Sequence, residues 1–319
     1  MALNVVALAG GVGGSKLVSG LAEILPKGQL TVIANTGDDF EHLGLTICPD
    51  LDTLVYTLAG LANPQTGWGR VDETWDFLET LEGFGGPTWF QLGDRDLALH
   101  HERTRRLKEG QSLSEITMHV CQALGVSVHL LPMSDHPVRT IVDTYDGELA
   151  FQDYFVARRC EPHVKGFHFA GVETASPAPG VMEALSAADL VVLCPSNPWV
   201  SLDPILAVKG IRDAVVEKPV VGVSPIVGGK AIKGPAAKMY SELGIQPSAL
   251  TVVVHYQHIL KGVVIDTQDE HLAPDIQALD IQVRVTNTIM TNLQDRMRLA
   301  VEVLEFAMDE YTEITTLEE

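Results

Sequence analysis

Hydrophobic residues in this chain concentrate in short runs, separated by stretches in which they recur every three or four positions. The runs occupy residues 3–9, 30–34, 126–131, 190–193, 220–223 and 250–255. They are rich in Val and Leu and lack polar alternation, which predicts parallel strands covered on both faces. Helical periodicity lies between them at 16–25, 52–61, 113–124, 181–187, 204–216 and 236–243. Ser15, Ser112 with Glu115 three residues on, and Asp203 before Pro204 supply start signals. The recurring alternation of strand and helix implies βαβ units and an α/β, doubly wound, mostly parallel sheet.

Two segments interrupt the rhythm. Residues 64–110 hold Trp68, Trp75 and Trp89 and a charged helical run over 94–108. In 138–170, residues 138–142 and 149–156 alternate about Asp146-Gly147, which predicts a β-hairpin. Both are read as insertions into a single α/β domain spanning 1–319, together forming a cap over the strand ends. A last helix over 293–310 precedes an acidic tail read as loose.

Composition narrows the possible partners. Forty-two acidic against 22 basic side chains give a net charge of −20, which disfavours nucleic acid and anionic membranes. It leaves room for a small phosphorylated ligand held by local amides, a few cations and Mg²⁺. Cys48, Cys121, Cys160 and Cys194 are too dispersed for a zinc site or disulfide framework, so buried thiols in a reducing cytoplasm are expected. The first apolar run is too short to span a membrane.

Candidate chemistry gathers where strands end. The first run breaks into Gly10-Gly11-Val12-Gly13-Gly14-Ser15-Lys16, the second into Asn35-Thr36-Gly37-Asp38-Asp39, and a third loop reads Cys48-Pro49-Asp50-Leu51-Asp52-Thr53. The glycines fit neither a Walker A nor a complete dinucleotide fingerprint. A glycine loop between strand and helix nonetheless suits a phosphate, with Lys16 a candidate counter-charge, although it also suits a tight turn. Clustered carboxylates repel unless a cation or a polyhydroxyl ligand offsets them, while Asp52 alone could simply cap a helix. Cys194-Pro195-Ser196-Asn197-Pro198-Trp199-Val200-Ser201 and Ser224–Lys230 with Lys233-Gly234-Pro235 add donors after two later strands. Asp96, His100 and Arg103 share one helical face. No covalent nucleophile is indicated.

These loops, in this order and over nearly the whole chain, resemble the 2-phospho-L-lactate transferase family of coenzyme F420 biosynthesis. The resemblance rests on 10–17, 35–39, 48–53, 92–100, 131–135, 151–155, 195–201 and 224–238. It implies a Rossmann-like core with an added cap, a homodimer, and use of Mg²⁺. It further implies transfer of a phosphorylated three-carbon acid from a guanosine diphosphate conjugate to the ribityl hydroxyl of the deazaflavin Fo, with release of GMP. On that pattern Asp52 and Asp50 are the catalytic carboxylates, and Asp38, Asp39 and Asp50 hold the metal. Substrate contacts fall to Gly11, Gly13, Gly14, Lys16, Asn35, Thr36, Asp52, Gln91, His100, Ser196 and Asn197. Trp68, Trp89 or Trp199 could stack on the deazaflavin. Gln91, where relatives carry a basic residue, and Leu99, where they carry Thr, depart from the pattern. The alternative reading is a non-enzymatic UDP-sugar-binding regulator of the related gluconeogenesis and morphogenesis factors, which share the glycine loop. An NAD-binding oxidoreductase is disfavoured by the failed fingerprint.

Overall fold

The structure, a computed structural model, describes residues 3–231 and 236–317. Strand β1 (Val5–Ala9) leads into α1 (Gly11–Ile24), and β2 (Leu30–Ala34) leads through the small hairpin β3 (Phe40–His42) and β4 (Leu45–Ile47) into α2 (Pro49–Leu58). Helices α3 (Asp76–Gly83), α4 (Asp94–Lys108) and α5 (Leu113–Ala123) precede β5 (His129–Pro132). An antiparallel sheet follows, made of β6 (Arg139–Thr144), β7 (Gly147–Ala150) and β8 (Val164–Ala170). After α6 (Val181–Ala187) come β9 (Leu190–Leu193), α7 (Asp203–Ala207), α8 (Ile211–Val216) and β10 (Val220–Val223). A hairpin of β11 (Ile226–Val227) and β12 (Lys230–Ala231) leads to α9 (Ala236–Glu242) and α10 (Ala249–Tyr256). The chain ends with β13 (Gly262–Asp266), α11 (Ala273–Gln277), β14 (Gln282–Thr286) and α12 (Leu293–Leu317).

Seven strands form one sheet in the order β14-β13-β10-β9-β1-β2-β5, with every neighbouring pair parallel. This is the Rossmann-like α/β architecture, with helices on both faces. The side-chain period of two explains the two cores. Val5, Ala7 and Ala9 of β1 face a cluster built with α1, α2, α5 and α12. Val6 and Leu8 face a second cluster that includes α6, α8, α10, Val138, and Val142 and Val164 of the antiparallel sheet. The chain runs from β1 outward to β2 and β5, then returns to β9 on the other side of β1. The strand order therefore reverses between β1 and β9, and a crevice opens there at the carboxyl ends.

Several sequence expectations are corrected. Residues 250–255 lie in a helix, because Ser248 accepts from the Thr251 amide and starts one whose Val252 and Val253 are buried while Val254 is exposed. The strand expected there is β13, and neither β13 nor β14 was read from the pattern. The helix over 204–216 is two, divided at Gly210, whose φ of +86° breaks it. Ser15 lies inside α1 and Asp203 inside α7, so neither caps. Ser112 and Glu115 do form the expected capping box. The alternation at 149–156 ends at Ala150 and gives way to a helical turn, and β8 joins the hairpin as a third strand. Helix α12 continues through the tail to Leu317. Lys233, Gly234 and Pro235 lie outside the described residues. All four cysteines are buried free thiols. Among the described residues no helix is long and apolar enough to cross a membrane.

Helix α12 seats on α1 at Gly20, where an added Cβ would collide with the Arg296 carbonyl. Gly20→Ala should therefore destabilise the protein by about 1–3 kcal/mol, the usual cost of overpacking. Gly83→Ala, which meets open space in a helix, should be neutral or stabilising by up to about 1 kcal/mol. Urea unfolding of both variants checks this, and equal midpoints would contradict the α1–α12 packing.

Candidate functional site

The loops after β1 and β9 touch. Ser196 Oγ accepts from the Gly10 amide at 3.1 Å and donates to the Gly10 carbonyl at 2.8 Å. A Cβ at Gly13 would strike the Pro195 carbonyl, and one at Gly14 would strike Ser196 Oγ. These two glycines are thus required by the close approach of the loops. Gly11 is required for a different reason, its φ of +64°, which turns its amide toward α2. That amide donates to Asp50 Oδ1 at 2.7 Å.

Helix α2 starts at Pro49, so Asp50 and Asp52 both lie in its first turn, where the helix dipole favours negative charge. They face different neighbours. Asp50 turns to the switch point, where Asn35 Nδ2 reaches Asp50 Oδ2 at 2.9 Å, Asp38 Oδ1 at 3.4 Å and the Val200 carbonyl at 3.0 Å. Ser201 also bonds Asp50, and Gln152 Nε2 reaches Asp38 Oδ2 at 3.2 Å. Asp52 instead meets Arg103 of α4 through both carboxylate oxygens: Nη1 donates to Oδ2 at 3.1 Å and Nη2 donates to Oδ1. His100 Nδ1 lies 3.6 Å from Asp52, and His100 Nε2 lies 3.3 Å from Asp96. The α4 face read from the sequence is thus turned inward. Its other side carries surface ion pairs such as Arg105 with Glu102.

Asp38, Asp39, Asp50 and Asp52 are each at most 6% exposed. Burial, together with the charges of Asp50 and Asp39, raises Asp38 well above the usual carboxylate range. Burial pushes Asp39 up to about 7 against the pull of Arg139, Cys48 and Arg103. It also pushes Asp50 up to about 6, although the bonds from Asn35, the Gly11 amide and Ser201 oppose the rise. One oxygen of Asp39, Oδ1, has no hydrogen-bond partner, and neither has Thr36 Oγ1. Hard oxygens with unspent acceptor capacity suit a divalent cation of the Mg²⁺ type, which takes one or two carboxylates and completes its shell with ligand phosphates. Asp39 Oδ1 keeps that capacity, and Asp38 and Asp50, joined through Asn35, lie beside it in the same acidic cluster. Asp39 also faces Cys48, Arg139 and Arg103.

The remaining sequence-predicted residues are scattered more widely. Lys16 Nζ donates to the Met290 carbonyl at 2.8 Å, across α1 from the loops. Asn197 Oδ1 caps the Trp199 amide, and its amide group reaches Met239 Sδ. Gln91 is exposed, ahead of α4. Trp199 packs between Phe167 and Tyr240, Trp89 joins Phe40, His42 and Phe90, and Trp68 is exposed. Arg139, Gln152 and Ser201 were absent from the residues assigned by sequence. Ser201 ends a loop whose donors were noted, but nothing local in the sequence marks Arg139 or Gln152.

The family model described as 2-phospho-L-lactate transferase CofD matches residues 5–301. The chain is 44% identical to a phosphoenolpyruvate transferase of Streptomyces griseus subsp. griseus, covering 96% of this chain and 98% of the relative. It is 40% identical to a 2-phospho-L-lactate transferase of Methanopyrus kandleri, over 95% of this chain and 97% of the relative. A 2-phospho-L-lactate transferase of Methanosarcina mazei is 36% identical over 94% and 99%. A crystal structure of a UPF0052-family protein from Bacillus halodurans shares the fold, with a TM-score of 0.62 at 16% identity over 95% of this chain and 99% of that one.

Asn35 joins two buried carboxylates and a carbonyl through one amide group. Asn35→Leu should cost about 1–3 kcal/mol, because acceptors stay buried without their donor. Thermal denaturation measures it, and an unchanged midpoint would contradict the bridging role.

Proposed function

Since the chain belongs to the 2-phospho-L-lactate transferase CofD family and is a transferase, we propose that it moves a phosphorylated three-carbon acid from a guanosine diphosphate conjugate to Fo. The ribityl hydroxyl oxygen of Fo bonds to the phosphorus bearing the acid. The bond from that phosphorus to the GMP oxygen breaks, GMP leaves, and the hydroxyl proton passes to solvent. The product is a deazaflavin phosphodiester. The relative at 44% identity is named a phosphoenolpyruvate transferase, so phosphoenolpyruvyl is the acid we assign ahead of phospholactyl or phosphoglyceryl.

The observation that carries this reading is the pair of loops at the strand-order reversal, with a buried carboxylate on each of two adjoining segments. Phosphoryl transfer of this type depends on in-line positioning and charge neutralisation more than on a protein nucleophile. Amides in the first turn of α1 and of the 195–201 loop would receive the diphosphate. Asp52 accepts from the ribityl hydroxyl. Asp38, Asp39 and Asp50 would hold Mg²⁺, which supplies charge neutralisation to the diphosphate when bound.

Incubation with Fo, Mg²⁺ and each guanylylated acid, read by mass spectrometry, should give one GMP per deazaflavin product and fastest turnover with the phosphoenolpyruvyl donor. Preference for another acid would overturn the donor assignment. Tight binding of a UDP-sugar with no GMP release from any donor would move the protein to the regulatory reading. EDTA should abolish turnover while circular dichroism stays unchanged; full activity without metal would remove Mg²⁺ from the account.

A further inference from the structure

Helix α4 belongs to a segment inserted between α2 and β5, yet it delivers a buried charged side chain to Asp52. Arg103 is 4% exposed and grips Asp52 with two guanidinium nitrogens. Its Nη1 also reaches the Thr46 carbonyl at 3.3 Å and His100 Nδ1 at 3.4 Å. Burial alone would lower its pKa, but Asp52 and Cys48 hold it above the ordinary value, so the guanidinium remains charged. A planar fork on a carboxylate fixes both the position and the plane of the carboxylate, which a lysine ammonium does not do.

We propose that Arg103 is a positioning residue for the transfer reaction. It locks the Asp52 carboxylate into one orientation, so that the lone pairs it leaves free accept from the hydroxyl of the incoming acceptor. This rests on the reading of Asp52 given under Proposed function. A carboxylate has about four lone-pair sites, and the Arg103 pair uses two. Asp52 therefore acts as an oriented hydrogen-bond acceptor, and the inserted helix is part of the catalytic apparatus as well as its packing. The opposing idea is that the ion pair merely staples α4 to α2.

The two ideas separate in a double-mutant cycle on kcat. Asp52→Asn should lower kcat by roughly 10²-fold, the size of general acid–base contributions. Arg103→Lys should lower kcat at least about 10-fold, leave KM for the guanosine conjugate unchanged, and have no further effect in the Asp52→Asn background. Arg103→Gln in that background, a neutral pair that avoids an unpaired buried charge, should match Asp52→Asn alone. Full activity of Arg103→Lys, or losses that multiply in the double variants, would overturn the proposal. If the wild-type protein releases no GMP from any donor, the reaction reading fails and the positioning role falls with it, whereas an active wild type with a fully active Arg103→Lys variant overturns the positioning role alone.

Discussion

Four carboxylates buried at the carboxyl edge of one parallel sheet set the terms for everything else in this molecule. Isolated buried anions are costly, and like charges in proximity raise the cost further. Three of the four are therefore held by hydrogen bonds from elsewhere in the chain. Asp50 takes the Gly11 amide and Asn35, Asp38 takes Gln152, and Asp52 takes Arg103. Even so, Asp38, Asp39 and Asp50 remain shifted upward. A protein that keeps such a cluster retains acceptor capacity for a ligand, and hydroxyl groups and a hard cation are the ligands that match it.

The sheet topology provides the place. Helices α1 and α2 point their amino ends at the same crevice, and the reversal of strand order between β1 and β9 leaves that crevice uncovered by a crossover. Glycines 13 and 14 let the β1 and β9 loops meet, which pins Ser196 against Gly10. The two inserted segments then contribute from the side: α4 brings Arg103, and the segment after β7 brings Gln152. Specific side chains reach the site from at least five separate stretches of chain, which is the arrangement expected where a rigid scaffold carries function on its loops.

The core strands were legible because they are buried on both faces. Residues 30–34, 190–193 and 220–223 match β2, β9 and β10. The same criterion misread 250–255, since a short apolar run carries no periodicity to separate a strand from a buried helix, and Ser248 settled it as helix. The edge strand β14, with Gln282 exposed and only partial burial beyond it, lacks the apolar run that marked the others. At the site, the glycine and aspartate loops were readable because each is local. Arg103, Arg139 and Gln152 depend on how distant segments pack, and Asp52, readable as a simple helix cap, is an ion-pair partner instead. Lys16 looked like a counter-charge from its place after the glycines, but one helical turn carries its ammonium to the Met290 carbonyl.

The central claim is that the crevice between the β1 and β9 loops, edged by Asp38 and Asp50, is where a nucleoside diphosphate binds. A crystal structure of the protein soaked with GDP and Mg²⁺ tests it most directly. The account predicts diphosphate density between residues 10–14 and 195–201, with the metal beside Asp38 and Asp50. Diphosphate bound elsewhere, such as beyond β13 and β14, with this crevice unchanged would contradict it.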